Sequence, residues 1–435
     1  MSIEAVTLTG TLTNTATVDI IDVATFAGAT PKLAILTIGQ ASTTNADMFH
    51  NYGVATATSQ WSVSSSLDHN VGTTVARHAQ SSTNIIYITT PSGTLHSSWS
   101  LSFIADGVRL TRNTWTADVY VSVEIVGGSD ITVTSGAEVL ASAAAVNVTS
   151  TGVDPTFVIC GTGAFGGTSA GSRGFHTHGI AGDHQGLGTI KQQCHGFWSA
   201  NGLTTSSNFY SARTDSVCHV YNISTGAYDY GVALTALGTA QFTLDPITTY
   251  GADAIYWTAV ELTGGYLWSA DQAIIASGDT SKAGSDLGGQ RVITQEVVID
   301  GTAAFDTEYS TAGYGLTIRN NDNIRGQNTV QSDDDGLTTT VCKNGVYANF
   351  AFGANTATFM EDDSTVFTAT PSNLTDSLGY TAFSGKPANS ISWQYWGIVA
   401  AAAVSGVYEG STDITAIYEG STEITGVYEG TTVIF

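Results

Sequence analysis

The densest set of side chains able to do chemistry lies between residues 160 and 195. His176, His178 and His184 are followed by the adjacent pair Cys194 and His195. Imidazole and thiolate are the usual ligands of zinc and related transition metals. In an extended segment His176 and His178 point the same way, so a metal held by His176, His178 and His184 is one expectation. The spacing matches no standard zinc motif, and ordinary polar histidines on a strand or loop are the competing reading. The same stretch carries Gly161-Thr162-Gly163-Ala164-Phe165-Gly166, formally G-x-G-x-x-G, and Gly167-Thr168-Ser169-Ala170-Gly171, formally G-x-S-x-G. A dinucleotide fingerprint requires a helix directly after it, whose N-terminus holds the pyrophosphate. A nucleophile elbow likewise requires a strand-to-helix turn, with its acid and histidine following. Gly171-Ser172 and the residues around them form no such helix. Both matches are therefore a glycine-rich loop, in a chain with 48 glycines.

Oxygen ligands for Ca²⁺ are offered by Asp333-Asp334-Asp335, by Glu361-Asp362-Asp363 and by the acids of the C-terminal tail. These runs lack the alternating ligand spacing of an EF-hand and also read as solvated turns. Trp61, Trp99, Trp198 and Trp268 could stack on sugars if exposed, or fill a core if not. No pair of carboxylates with glycosidase geometry can be assigned. Cys160, Cys194, Cys218 and Cys342 contain no C-x-x-C pair and are too few for a disulfide framework. They read as buried free thiols in a chain that folds in a reducing cytoplasm.

Charge excludes one class of function. There are 37 acidic against 13 basic residues, a net charge of −24, and no basic run. Nucleic-acid binding needs clustered Lys and Arg to displace counterions, so no nucleic acid is expected. The N-terminus, Met1-Ser2-Ile3-Glu4-Ala5-Val6, has neither the basic segment nor the apolar run of a signal peptide. No stretch reaches the 18 or so apolar residues of a membrane helix, and no membrane partner is expected.

The elements that carry these residues are strands. Alternation of period two is widespread, as in Val119-Tyr120-Val121-Ser122-Val123-Glu124-Ile125-Val126, with Val119, Val121, Val123 and Ile125 on one face. Residues 141–146 are the best helix candidate but are short and uncapped. With 42% hydrophobic residues and only 11% charged ones, the composition suits an all-β protein whose surface polarity comes from Ser, Thr, Asn and Gly.

Internal echoes divide the chain. Phe49-His50-Asn51-Tyr52-Gly53 matches Phe175-His176-Thr177-His178-Gly179, with Gly313-Tyr314-Gly315 as a weaker third copy. A strand opens after Pro31 and again after Pro155. Strands run into Gly127-Gly128 and Gly264-Gly265, with a degenerate counterpart at Trp393 to Val399. Ser66 to Thr74 resembles Ser332 to Thr339. The expected organisation is an N-terminal arm (1–14), three antiparallel β-sandwich repeats of jelly-roll type (15–130, 131–266 and 267–404), and a tail (405–435).

The tail repeats every ten residues. Val407-Tyr408-Glu409-Gly410 is followed by Ile417-Tyr418-Glu419-Gly420 and by Val427-Tyr428-Glu429-Gly430, each reading as strand, Glu-Gly turn, strand. Thirty such residues cannot bury a core alone. Val407, Tyr408, Ile414, Ile417, Tyr418, Ile424, Val427, Tyr428 and Ile434 are therefore the candidate assembly residues, docking on the third sandwich or intertwining with neighbouring copies.

These tandem Val/Ile-Tyr-x-Gly-Ser-Thr-Glu-Ile-Thr units resemble the C-termini of tailed-bacteriophage structural proteins. The body markers also resemble repeat modules of phage virion proteins. The resemblance implies a non-enzymatic tail fibre, head fibre, spike or capsid decoration protein on the virion surface, made in the host cytoplasm. It further implies a homo-oligomer, trimer favoured, in contact with other virion proteins and with a host-surface glycan. A bacterial carbohydrate-binding adhesin is the alternative, and a polysaccharide depolymerase spike a third reading.

Overall fold

The computed structural model describes residues 3–40, 47–68, 76–140, 144–163, 173–200, 208–222, 227–247 and 253–269. Beyond these it describes short strands from 273 to 433. The chain is all-β and built from antiparallel sheets. Among the described residues no helix is long and apolar enough to cross a membrane.

The first unit contains β1 (Ile3–Leu12), β2 (Thr17–Ile21), β3 (Leu33–Gln40), β4 (Met48–Thr56) and β5 (Gln60–Leu67). It continues with β6 (Ala76–Ser81), β7 (Ile86–Thr89), β8 (Leu95–Ile104), β9 (Gly107–Thr114) and β10 (Val119–Gly128). They form a six-stranded sheet in the order β1-β10-β3-β4-β5-β6 and a four-stranded sheet in the order β2-β9-β8-β7. Val121, Val123 and Ile125 of the first sheet share one buried core with Ile86, Trp99 and Leu110 of the second.

The second unit repeats this plan. Its strands are β11 (Ile131–Leu140), β12 (Val146–Thr149), β13 (Phe157–Thr162), β14 (Arg173–His184) and β15 (Thr189–Ala200). They are followed by β16 (Asn208–Arg213), β17 (Cys218–Asn222), β18 (Ala227–Gly238), β19 (Gln241–Pro246) and β20 (Asp253–Leu262). The order β11-β20-β13-β14-β15-β16 lies over β12-β19-β18-β17, the first unit's order with every label advanced by ten. Val158, Cys160 and Ile255 meet Val148, Leu234 and Phe242 between these two sheets.

The third unit has β21 (Gly265–Ser269), β22 (Ala273–Ile275), β23 (Val292–Gly301), β24 (Ser310–Ile318), β25 (Gln327–Ser332) and β26 (Cys342–Tyr347). β27 (Ala357–Glu361), β28 (Thr365–Pro371), β29 (Tyr380–Ser384) and β30 (Ile391–Ala400) complete it. β21 and β22 both pair with β30, which continues through β23, β24 and β25 to β26, while β27, β28 and β29 form a separate sheet. In the tail, β31 (Ile417–Glu419) pairs with β32 (Thr422–Ile424), and β33 (Tyr428–Glu429) with β34 (Thr432–Val433).

One expectation changes. The segment 1–14 is not an arm: all ten residues of β1 pair with β10, and Leu12 is fully buried. Residues 141–143 lie outside the described part, and the next element there is β12, a strand. The helix that does form, α1 (Val23–Phe26), is a single turn capped by Asp22, whose carboxylate accepts from the Thr25 amide. β10 is buried on its second face as well. Ser122 and Glu124 are as buried as Val121 and Val123.

That second buried face explains the assembly. β5 and β6 of the first unit lie against β14 of the second. β16 of the second lies against β23 and β24 of the third, and β25 and β26 of the third lie against β3 and β4 of the first. In each case the sixth strand of one unit, joined in the first and third units by the fifth, meets the third or fourth strand of the next. A head-to-tail interface that closes after three steps makes a ring, here within one chain. Leu33, Ile35 and Val54 of the first unit join Phe157, Ile159 and Val260 of the second and Trp396 and Ile398 of the third in a single cluster.

Candidate functional site: a buried histidine column between the first two units

The echo Phe-His-x-Tyr/His-Gly falls on β4 and β14, which hold the same place in their sheets. Alternation sends the residues of each copy to two sides. The third and fifth residues face their own unit's core. Asn51 Nδ2 donates to the Ile85 carbonyl at 3.0 Å, and the Tyr87 amide donates to Asn51 Oδ1 at 3.1 Å. In the second copy the His219 amide donates to Thr177 Oγ1 at 3.1 Å. The glycine lets the chain entering the seventh strand come close: a Cβ on Gly53 would stand 2.0 Å from the Ile85 carbonyl oxygen. One on Gly179 would stand 2.4 Å from that of Val217. Half of the motif is therefore a clamp between sheets.

The second and fourth residues face the neighbouring unit. His50 and His176, equivalent in the two repeats, bring their Nδ1 atoms to 3.4 Å with ring centroids 4.0 Å apart. Tyr52 and His178, the next equivalent pair, stack at 3.8 Å and 10°. Ser65 Oγ of β5 lies 2.8 Å from His176 Nδ1, and His195 of β15 stands 5.8 Å from His178. All of these side chains are buried. Burial holds His50, His176 and His195 well below the ordinary imidazole range, and the neighbouring histidines push the same way. These three rings are uncharged at neutral pH.

His176 and His178 are thus on one face, as expected, but His184 is not with them. It sits six residues further along β14, about 20 Å at 3.3 Å per residue. The proposed three-histidine metal set is not assembled. Among the described residues, no group of three or more His, Cys, Asp or Glu is placed to hold a metal ion. The partner of His176 is instead His50, 126 residues earlier. The repeat alignment put the two histidines at matching positions, but nothing local indicated that equivalent positions would touch.

Cys194 comes within 3.0 Å of His219 Nδ1 and 3.2 Å of Ser216 Oγ. This has the outline of a nucleophile with its base, but burial reverses the chemistry. The Cys194 thiol is pushed far up by desolvation, and His219 is lowered to about 3 by burial with a further push from Arg213. A reactive pair needs thiolate and imidazolium together, and here both groups are held neutral. Cys160 and Cys218 are likewise buried thiols, and all three are free. The Cys342 side chain lies outside the described residues.

The glycines of the formal G-x-G-x-x-G are explained by packing. A Cβ on Gly161 would meet the Trp61 ring at 2.7 Å, and the Gly163 amide donates to Gln80 Oε1 of the first unit. Residues 164–172, with the formal G-x-S-x-G, lie outside the described part. So do Asp333-Asp334-Asp335 and Asp362-Asp363 of the acidic runs. Trp61 and Trp99 are core residues and not a sugar platform. Trp61 Nε1 donates across the unit boundary to Thr258 Oγ1 at 2.9 Å, and its ring lies nearly parallel to that of Tyr256. The side chains of Trp198, Trp268 and the tail assembly residues are outside the described set.

Fold and site together define an all-β chain of three repeated units closed on one another, with histidines sealed between the first two. Comparison of the chain with protein-family models, curated proteins and solved structures gives no match.

Proposed function

We propose that this chain is a non-enzymatic structural protein on the surface of a tailed-phage particle, a fibre, spike or decoration protein. In this reading it assembles in the host cytoplasm, its tail joins copies into a homo-oligomer, favoured as a trimer, and it contacts other virion proteins and a host-surface glycan. The observation that carries the reading is the decade-repeat tail. Its two described hairpins pair only within themselves, Ile417 with Ile424 and Tyr428 with Val433. Two-stranded hairpins this short are marginal in water and need a partner surface. The body already closes its head-to-tail interfaces inside one chain, so assembly between chains falls to the tail. The groups best suited to catalysis, Cys194 with His219 and the histidine column, are buried, which favours a structural role.

Immunogold labelling of purified particles tests the location, with label expected on heads or tails. Label confined to cell debris would refute it. Light scattering of the full chain against a chain ending at Val404 tests the tail. The truncated chain is expected to be monomeric, and an unchanged oligomer would overturn the assembly role. A purified chain that blocks adsorption of the phage would support the glycan-binding part, whereas turnover of host polysaccharide would make it an enzyme.

A further inference from the structure

We propose that the ring is a clasp that opens at the junction of the third unit with the first while all three units stay folded, and that the two freed faces engage a second copy of this chain. Connectivity is the first ground. β10 ends at Gly128 and β11 starts at Ile131, while β20 ends at Leu262 and β21 starts at Gly265, so short connectors tie each unit to the next in the chain. β14 and β21 also pair in parallel at His184 and Leu267, which puts the second and third units in one sheet. The six strands of the first unit form a sheet of their own. The third and first units are thus neither consecutive in the chain nor members of one sheet, and their junction can part with the described strand pairs intact. Within a unit the chain crosses repeatedly between the two sheets, which separate only by unfolding.

The side chains at this junction are the second ground. On the face of the first unit's large sheet turned away from its own core, Ser122 is in register with Thr9 and Thr37, and Glu124 with Thr7 and Ile35. β24 of the third unit lies against β1 and β10, and β25 lies against β10 and β3. Thr7, Thr37, Ser122 and Glu124 are all buried there. The hydroxyls of Thr7 and Ser122 have no hydrogen-bond partner in the closed ring. Opening gives both to water, so they favour the open form. An unpartnered group inside a unit, such as the Trp99 indole, has no such effect, because only unfolding would hydrate it. The junction of the first unit with the second is instead bridged, by Trp61 to Thr258 and by the Gly163 amide to Gln80.

A second copy fits the freed faces because they are already complementary. β25 and β26 of one chain carry the contact that β3 and β4 of another receive. A head-to-tail interface that does not close on its own molecule passes to the next one, so open chains join third unit to first. This exchange uses the body alone and does not depend on the tail or on a place in a virion.

Ser122→Cys places a thiol on the hidden face with little change of volume. In the native full chain the introduced thiol is expected to react with iodoacetamide at least about tenfold faster than Cys160 and Cys218, which lie in the second unit's own core. Adding Thr7→Val removes one unpartnered hydroxyl and should slow that reaction about fivefold or more. A rate no faster than that of Cys160, or one that Thr7→Val leaves unmoved, would overturn the clasp. For the second copy, the wild-type chain is held concentrated and then diluted into sedimentation velocity. Species at multiples of the starting mass are expected to persist, and to be about tenfold scarcer in Thr7→Val/Ser122→Ala. Their absence, or equal abundance in that double variant, would overturn the exchange between copies. Should Ser122→Cys not fold, the comparison of wild type with the double variant decides alone.

Discussion

Gly53→Ala isolates the clamp that the repeated motif builds. An added Cβ would lie 2.0 Å from the Ile85 carbonyl oxygen and 2.7 Å from Ile85 Cγ1, where carbon contacts are comfortable at 3.5–4.0 Å. The obstructing atom is backbone, so a rotamer change cannot relieve it. The segment entering β7 must retreat by more than 1 Å, which stretches both hydrogen bonds it makes to Asn51. Overpacking of this kind costs about 1–3 kcal/mol, and each weakened bond adds about 0.5–1.5 kcal/mol. The expected loss is about 3–5 kcal/mol, offset by less than about 1 kcal/mol from reduced freedom of the unfolded chain. Gly10→Ala is the matched control. Its Cβ would meet the tip of the Ile20 side chain at 3.0 Å, a contact that a small rotation relieves. Urea denaturation followed by circular dichroism measures both. If Gly53→Ala is as mild as Gly10→Ala, the close approach of sheet and crossing strand is wrong.

Other substitutions probe the boundary and the buried groups. Gly161→Val should destabilise by about 3 kcal/mol or more through its clash with the Trp61 ring, and Trp61→Phe, which forfeits the bond to Thr258, by about 2 kcal/mol. A cost near zero in urea melts for both would refute the packing of the first two units. Asp68 has its carboxyl raised to about 6 by desolvation and by Asp47. Its ionised form is therefore disfavoured in the fold above that pH, and the native state gains as pH falls from about 6 towards its unfolded value. Asp68→Asn should raise the melting temperature at pH 7.5, with the gain shrinking by pH 4; a loss at pH 7.5 would reverse the sign. Iodoacetamide at pH 8 should leave Cys160, Cys194 and Cys218 unlabelled in native protein and label them in urea, as peptide mapping would show.

The sequence by itself determined the strands, their repetition and the reason no helix-dependent site could form. Period-two alternation located β10, and Pro31 and Pro155 stand just before β3 and β13. The markers found in the chain fall on strands of equivalent place: Phe49 to Gly53 on β4, Phe175 to Gly179 on β14, and Gly313 to Gly315 on β24. These are local features, set by side-chain alternation and turn chemistry over a few residues. The boundary at residue 14 was not legible, because whether Ile3–Leu12 is an arm or a strand depends on β10, more than a hundred residues away. Only the tertiary structure decided what lies on the second face of each large sheet. The alternation of β10 sets Ser122 and Glu124 on the face opposite Val121 and Val123, and the closed ring buries that face too. The same closure set the fate of the chemically suggestive residues. Local spacing joined His176 to His178 and His184, whereas the fold joins it to His50 and leaves His184 far along the strand. A strand fixes which side chains share a face, but which faces meet is set by packing between units, and that carries no local signature.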